Sequence, residues 1–565
     1  MMFIVEAYTF RENPTCERGI VLIDAFSPSH LLYLKRRALS TYNAGVVECF
    51  SPKVSSYLLS QSSSSQEMSD IQSMTMPTSR DDCASWAADL PFEVVGVLCE
   101  SDSGGIWADR MTEWLDLDGE RGNNRMSARW DKHMMHKVIK DAGVKGTAKG
   151  YVCSSQGEAV ARAGEMGVMD KDDERGVVYD EQTLCVVKPR RGVASDRVFK
   201  CSTLQEVAAA TEAIIGSMSF GDDEVIEDCL VQEYLPGIEV AVDTVTRNGE
   251  TKVVAVWDYD KRPANDAPFV NFATRLVDGT FHPASEDEEL PPLNSTALPS
   301  FSLKNSANRT SSLSSLSGLP RQARYVVVRK VCDYVTSALS ALEYNWGMAH
   351  TEVKVQIPQG FRKAYAKGSF PSPTVRLIEV NARQHNAEWL PLTQACLGYN
   401  KMDVCAAAYL GDAEDDDGGE GRDGPAVDFN AGEGGGEGEG DKYGHKQALT
   451  WDMVPDTPRL LSPGRIVHLS AGKEGTLRRI NHLEKIRKME SVVKVEVYED
   501  VEDGKGITKT VDIRSEKGWI HMMHDDEELV EREYKVILEL METVFEVEEG
   551  NGGEEGLGEK ALNQP

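Results

Sequence analysis

The clearest pattern in the chain is an alternation of apolar and charged positions in two stretches near its middle. Gly347-Met-Ala-His-Thr-Glu-Val-Lys-Val355 and Val375-Arg-Leu-Ile-Glu-Val-Asn-Ala-Arg383 predict neighbouring β-strands, because successive side chains of a strand point to opposite faces. The rule puts His350, Glu352 and Lys354 on one face and Ala349, Thr351, Val353 and Val355 on the other. It likewise puts Glu379, Asn381 and Arg383 in front and Ile378, Val380 and Ala382 behind. Each strand is therefore apolar at the back and charged at the front.

Shorter signals predict an α/β surrounding. Residues 19–26 are an apolar run, Ser27-Pro28-Ser29 offer turn and cap chemistry, and 30–38 have helical spacing. The Ser-rich residues 55–74 read as a mobile insertion. A buried strand is predicted at 92–98 and a helix at 107–115. Residues 127–143 read as one helix with Ser127 as N-cap, an apolar stripe of Trp130, Met134, Val138 and Ile139, and Gly143 as a left-handed C-terminal residue.

Strands are predicted at 183–189, 197–201, 230–235, 240–246 and 251–261, with a helix from Thr203 onwards. A further helix at 322–341 repeats Val327, Val331, Val335 and Leu339 every four residues. Residues 386–410 read as largely helical. Residues 283–319, rich in Ser, Pro, Leu and Asn without periodicity, read as a loop insertion, and the acidic, Gly-rich 411–446 as disordered. Short strands at 464–545, such as 493–498, with a closing helix at 526–545, read as a cap on the preceding domain.

Composition narrows the function classes. With 565 residues and 41% hydrophobic content, the chain can bury two or three cores. No apolar run approaches the roughly 20 residues of a membrane span, and Met1-Met-Phe-Ile-Val-Glu-Ala-Tyr8 lacks the basic and apolar segments of a secretory signal. The 11 cysteines include no Cys-x-x-Cys pair, which fits reduced thiols in a cytoplasmic protein. Net charge is −31; residues 411–447 hold 12 acids against 3 bases and 546–565 hold 6 against 1, yet the remainder is still acidic. Neither a membrane nor a nucleic-acid partner is expected.

Packing two charged strand fronts together costs several kcal/mol per desolvated ion unless something compensates them. Glu352, Glu379 and Asn381 offer hard oxygen ligands suited to Mg²⁺ bridging to phosphate, and Arg383 offers a planar cationic fork for phosphoryl oxygens. The same pattern also suits a solvated strand face with ion pairs. The strand ending in Lys188 leads into a basic loop, 190–196, whose one glycine is Gly192; such a loop can lay N–H groups on phosphate, and Val-Lys-Pro also occurs in ordinary surface hairpins. The strand edge at 230–235 can hydrogen-bond a flat heterocycle, with Glu239 available to sugar hydroxyls. His133 and His136 have no third metal ligand nearby and read as structural or solvated.

Taken in order, Ala128-Arg-Trp-Asp-Lys132, Val187-Lys-Pro189 with Ser195-Asp196, Gln232-Glu-Tyr-Leu-Pro-Gly-Ile-Glu239 and Glu379-Val-Asn-Ala-Arg383 resemble the ATP-grasp superfamily. The carboxylate–amine ligase branch, typified by L-amino acid ligases with carnosine synthase as a relative, is similar in further details. These are the Ala-Arg-x-x-Lys helix before Ala142-Gly143, the Lys-Pro and Ala-Ser-Asp elements of the loop, Trp257-Asp-Tyr-x-Lys261, and Gly347-Met-Ala-His-Thr-Glu352. The resemblance runs from about residue 19 to about residue 545, interrupted by the three low-complexity insertions.

It implies an α/β (α+β) chain with the ATP-grasp fold: an N-terminal pre-ATP-grasp α/β domain at 1–125, the N-terminal and lid part at 126–235, the catalytic core at 236–460, a C-terminal subdomain at 461–547 and a disordered acidic tail at 548–565. By the same resemblance Lys132, Lys188 and Ser195 contact ATP phosphates, Gln232, Glu233, Tyr234 and Leu235 line the adenine slot, and Glu239 holds the ribose. Glu352, Glu379 and Asn381 would ligate Mg²⁺, with Mn²⁺ a workable substitute, and Arg383, assisted by Lys188, would steady an acyl-phosphate. The partners implied are a small carboxylate and an amine; oligomeric state stays open, a homodimer being one option.

Two departures bear on the substrate. Gln384-His385-Asn386 follow Arg383 where the family usually has glycine, and Arg190, Arg191 and Arg197 stand where smaller residues are common. They motivate a rival reading, an ATP-binding regulatory protein without turnover. A third reading, ligation of amino acids to protein tails, would call for a basic groove that the charge balance does not offer.

Overall fold

The computed structural model describes residues 16–548 except 26, 63–64, 118–121, 125, 170–182, 193–195, 219–224, 280–314, 320, 359–371, 384–388 and 412–448. β1 (Arg18–Ile23), β2 (Gly45–Cys49) and β3 (Glu93–Cys99) form a parallel sheet in the order β2-β1-β3. Cover on both faces explains why β1 is a continuous apolar run. Ile20 and Leu22 pack with Tyr33, Leu34 and Ala38 of the helix Pro28–Tyr42, while Val21 and Ile23 pack with Cys83 and Met111 on the opposite side. Ser27 caps the first helix by accepting from His30 N, and Pro28 opens it, as the sequence predicts.

Residues 55–74, expected to be mobile, are instead largely helical, lying in the helices Pro52–Gln61 and Ser65–Met74. The serines that suggested a loop turn their hydroxyls back onto carbonyls one turn earlier, Ser60 to Tyr57 and Ser62 to Leu58, and Ser55 and Ile71 are buried.

The next unit is a four-stranded antiparallel sheet of β4 (Gly150–Cys153), β5 (Cys185–Lys188), β6 (Phe199–Cys201) and β7 (Cys229–Glu233), ordered β4-β7-β5-β6. The helices Gln156–Glu165 and Leu204–Ile214 bury one face of it, the second fastened by a capping box between Thr203 and Glu206. Pro236-Gly237 then turns the chain into the main sheet. Gly237 has φ +126, and a Cβ there would lie 2.6 Å from the Val355 carbonyl, so the close approach of this turn to its neighbour requires glycine.

The main sheet is antiparallel throughout. Its strands are β8 (Ile238–Arg247), β9 (Glu250–Ala264), β10 (Ala267–Leu276), β11 (Gly347–Gln356), β12 (Thr374–Asn381) and β13 (Gly464–His468). β14 (Gly475–Ile480), β15 (Val492–Val497), β16 (Gly506–Ile507), β17 (Gly518–Met523) and β18 (Phe545–Glu548) follow. Eight of these pair as β12-β11-β8-β9-β10-β13-β17-β15, and β16-β14-β18 form a separate small sheet. Val327, Val331, Val335 and Leu339 of the helix Arg321–Ala341 are fully buried against one face of the main sheet, as their spacing predicts. The helices Trp389–Leu397 and Lys401–Leu410 fill the space between the other face and the N-terminal unit.

Several boundaries differ from expectation. The single helix expected at 127–143 is two, Met126–Trp130 and Lys132–Asp141, because Asp131 rather than Ser127 caps the second, accepting from His133 N and Met134 N. Its buried residues are Met135, His136 and Ile139, with Met134 exposed, while Gly143 has the expected left-handed φ of +86. In the expected helix 386–410 a break at Gly398, φ +83, separates two helices. Of the insertion 283–319, residues 315–319 are packed: Leu316 and Leu319 are buried, and Ser315 Oγ and Leu316 N donate to Asp258. The rest of that insertion, 412–447, and the tail beyond Glu548 lie outside the described residues; Glu548 itself pairs with Thr476. Among the described residues no helix is long and apolar enough to cross a membrane.

Candidate functional site

The two alternating stretches are β11 and β12, adjacent and antiparallel, with His350 opposite Asn381 and Glu352 opposite Glu379. Between Glu352/Val353 on one strand and Glu379/Leu377 on the other the register shifts by one residue, so Ile378 is a bulge. Strict alternation placed Ile378 at the back; the bulge makes it half-buried and leaves Val375, Leu377 and Val380 as the buried rear of β12. Ala382 packs against the rear cluster as predicted.

Two carboxylates directly opposite each other on neighbouring strands repel. Here cations from two other elements answer them. Lys132, first residue of its helix, places Nζ 3.1 Å from Glu379 Oε2 and donates to Gly192 O at 2.6 Å, while its backbone N donates to Arg190 O, so the start of the loop after β5 is docked on this helix. Lys188, the last residue of β5, is 5% exposed. Burial pushes its ammonium down to about 8, Glu379 opposes that shift, and Lys132 adds to it. For Glu379, burial disfavours the charge, but Lys132 and Lys188 outweigh it and hold the carboxyl at about 2. Asn381 Nδ2 donates to Glu379 Oε1 at 3.2 Å.

Arg383 follows the end of β12 and reaches Asp102, the first residue of the helix Asp102–Trp114, with Nε to Oδ1 at 2.5 Å. The N-terminal unit thus contributes a carboxylate to the site, which period analysis could not reveal because the contact spans 281 positions of sequence. Glu239 on β8 is opposite Lys354 on β11, 2.8 Å from its Nζ, and is also paired with Lys261 on β9. Burial opposes its charge, yet Lys261 and Lys354 keep it at about 2.

Gln232 is buried within β7, between Gly150 and Val186. Glu233 is held by Arg376 of β12 at 2.5 Å and accepts from Lys149 N at 2.7 Å, while Lys200 lies 4.5 Å over the Tyr234 ring and Leu235 is buried. Through Glu233 and Arg376 these four residues form the seam between the four-stranded sheet and β12. Ser195 and Gln384-His385-Asn386 lie outside the described residues. His136 is structural: its Nδ1 accepts from Ala148 N and its Nε2 donates to Ile378 O, and burial lowers it to about 4. A cavity of about 570 Å³ opens between β6 and the β9–β10 hairpin, lined by residues including Phe199, Lys200 and Pro263, and none of the site carboxylates borders it.

Behind the site is a polar network that sequence reading missed. Asp243 of β8, fully buried, accepts from Trp257 Nε1 at 2.7 Å, meets His350 Nδ1 at 2.9 Å and accepts from Lys401 Nζ at 3.2 Å. His350 Nε2 lies 3.3 Å from Tyr259 OH and 3.7 Å from Glu352 Oε1. A single acid inside the apolar run at 240–246 was the signal that could have marked it.

No cluster of three or more His, Cys, Asp or Glu suited to a metal occurs among the described residues. The donor set nevertheless fits Mg²⁺: two facing carboxylates and an amide oxygen are hard ligands, and Mg²⁺ takes the remainder of its shell from phosphate and water.

Residues 181–274, which include β5 to β9 and most of β10, match a family model described as an ATP-grasp domain. Dapdiamide A synthase of Enterobacter agglomerans is 24% identical over 178 residues, a match that covers 32% of this chain and 38% of that relative. The crystal structure of L-amino acid ligase from Bacillus licheniformis superposes with a TM-score of 0.55 at 15% identity, covering 93% of this chain and 98% of that one. Phosphoribosylglycinamide synthetase from Anaerococcus prevotii gives 0.48 at 13% identity, covering 93% and 98%. The chain carries an ATP-grasp domain at 181–274, and its mixed helix-and-sheet architecture is the ATP-grasp fold.

Proposed function

We propose that the protein is an ATP- and Mg²⁺-dependent carboxylate–amine ligase that activates a small carboxylate, an amino acid being the best candidate, as an acyl-phosphate and joins it to an amine. The observation that carries this reading is the pairing of Glu352 with Glu379 across β11 and β12, with Lys132 ion-paired to Glu379 from a helix and Lys188 of the four-stranded sheet adding its positive field. Glu352, Glu379 and the amide oxygen of Asn381 would hold Mg²⁺ or Mn²⁺, which when bound neutralises phosphate charge.

Lys132 and Lys188 would bind the phosphates of ATP, and the seam formed by Gln232 to Leu235 would take its base. Glu239, clasped by two lysines, would hold the ribose and exchange part of that clasp for sugar hydroxyls. Arg383 binds the carboxylate end of the reaction. There the bond between the γ-phosphorus and the β-phosphate oxygen breaks as one forms to the substrate carboxylate, giving ADP. The amine then attacks the acyl carbon, phosphate leaves and a proton is lost from nitrogen. Catalysis by this chain is positioning and charge complementarity, with no side-chain nucleophile.

The test is nucleotide product analysis over an amino-acid matrix with Mg²⁺, with hydroxylamine added to trap the acyl-phosphate as a hydroxamate. ADP and an amine-dependent amide support the proposal. AMP with pyrophosphate would overturn the mechanism, and ATP binding without any ADP release would favour the regulatory reading.

A further inference from the structure

Lys401 occupies a place that ordinary stability would not choose. Its side chain is 1% exposed, it is the first residue of the helix Lys401–Leu410, where the helix dipole disfavours a cation, and Arg383 lies close enough to lower its affinity for a proton further, after burial itself. The ammonium is met by three oxygens: Asp243 Oδ1 at 3.2 Å, Ala349 O at 3.0 Å and Arg383 O at 3.4 Å. Those three belong to β8, to β11 one residue before His350, and to the segment leaving β12. One buried charge therefore ties β11, next to His350 and Glu352, to Asp243 and holds the main chain from which the Arg383 guanidinium projects. Through Asp243 it also reaches His350, whose Nε2 faces Glu352.

We infer that Lys401, with Asp243, is a positioning residue that sets Arg383 and Glu352 in reacting geometry from behind the sheet without touching substrate. This rests on the ligase reading above. Nucleotide binding by Lys132 and Lys188 comes from other elements, so the effect should separate into turnover and not ATP affinity.

The experiment measures kcat and the KM for ATP, by ADP release and by hydroxamate formation, in the wild type, in Lys401→Met and in the double variant Asp243→Asn/Lys401→Met, which removes both buried charges. The expected result is a kcat reduced by roughly 100-fold, as an ångström-scale displacement of reacting groups produces, with the KM for ATP within about twofold of wild type. Wild-type kcat in either folded variant overturns the inference and leaves the ligase reading standing. A parallel loss of ATP affinity overturns it too, because it marks general damage. Failure of both variants to fold gives Lys401 to the fold alone and likewise overturns it. Absence of ADP release from the wild-type protein instead sinks the ligase reading, and this inference with it.

Discussion

Glu379, half-buried and ion-paired with Lys132 in the field of Lys188, and Glu239, buried and ion-paired with Lys261 and Lys354, are both held at about 2 against the cost of desolvation. What differs is where the lysines come from. Lys354 and Lys261 stand on the strands flanking Glu239 in one continuous sheet, so that cluster moves as a body. Lys132 and Lys188 come from a helix and from the separate four-stranded sheet, so the Glu379 cluster is assembled from three elements rather than from one. Equal charge composition thus yields one clasp built within a single sheet and one assembled from separate elements.

The comparison can be broken most decisively by Glu379→Gln. It keeps the volume and removes a proposed metal ligand, and turnover should fall by roughly 100-fold or more with only a modest loss of melting temperature, since burial already lowers the proton affinity of Lys188. Near-normal ADP release at saturating Mg²⁺ would refute the metal assignment. Glu239→Gln should act the other way round. It strands two lysines inside one sheet, and denaturant unfolding should report a loss of about 3–5 kcal/mol. A variant as stable as wild type would show that the clasp is not what holds these three strands in place.

Lys188→Ala sharpens the same contrast at the ligand. Loss of one charge-assisted contact should weaken ATP binding by about 1.5–3 kcal/mol, read by calorimetry. Unchanged affinity would remove Lys188 from the nucleotide site.

The smallest effect concerns the helix that carries Lys132. His136 is buried neutral with its affinity for protons lowered to about 4 from 6.5, so below pH 6.5 the unfolded chain binds the proton more readily than the folded one. The stability it contributes is full above pH 6.5 and is lost as pH falls toward 4, at no more than about 1.4 kcal/mol per pH unit. Melting temperatures of wild type and His136→Gln, followed from pH 7 to pH 4.5, should converge in acid; parallel curves would contradict the assignment.

Much of this was legible in the sequence. Period-two alternation identified β11 and β12 and put Glu352, Glu379 and Asn381 on a common face, because side-chain direction in a strand is a local property. It failed at Ile378, where a bulge set by pairing with Val353 and Glu352 shifts the phase. The lysines were visible only as parts of motifs; that Lys132 and Lys188 share Glu379 depends on how two separate elements dock. Asp102 and Lys401 were not foreseen at all. Asp102 meets Arg383 and Lys401 meets Asp243 across more than a hundred residues, and neither breaks a local pattern enough to stand out, although a lysine opening an apolar helix was a clue. The Ser-rich residues 55–74 erred in the opposite direction, since composition suggested a loop while the hydroxyls satisfy helical carbonyls.

The order of strands in the main sheet also sets a timetable for synthesis. β12-β11-β8-β9-β10 can pair from a contiguous part of the chain, but the outer edge of β10 finds its partner only when Ala273 meets Val467 in β13. At roughly 5–20 residues per second on the ribosome, that edge waits for on the order of 10–40 s. Over the later part of that time, once β12 has been made, the strands bearing Glu352 and Glu379 can already be assembled, while the open edge of β10 remains a template for another nascent chain. Yield in the cell should therefore depend on how quickly translation passes β13, and a pause placed just before it should produce aggregates although every residue of the mature protein is unchanged.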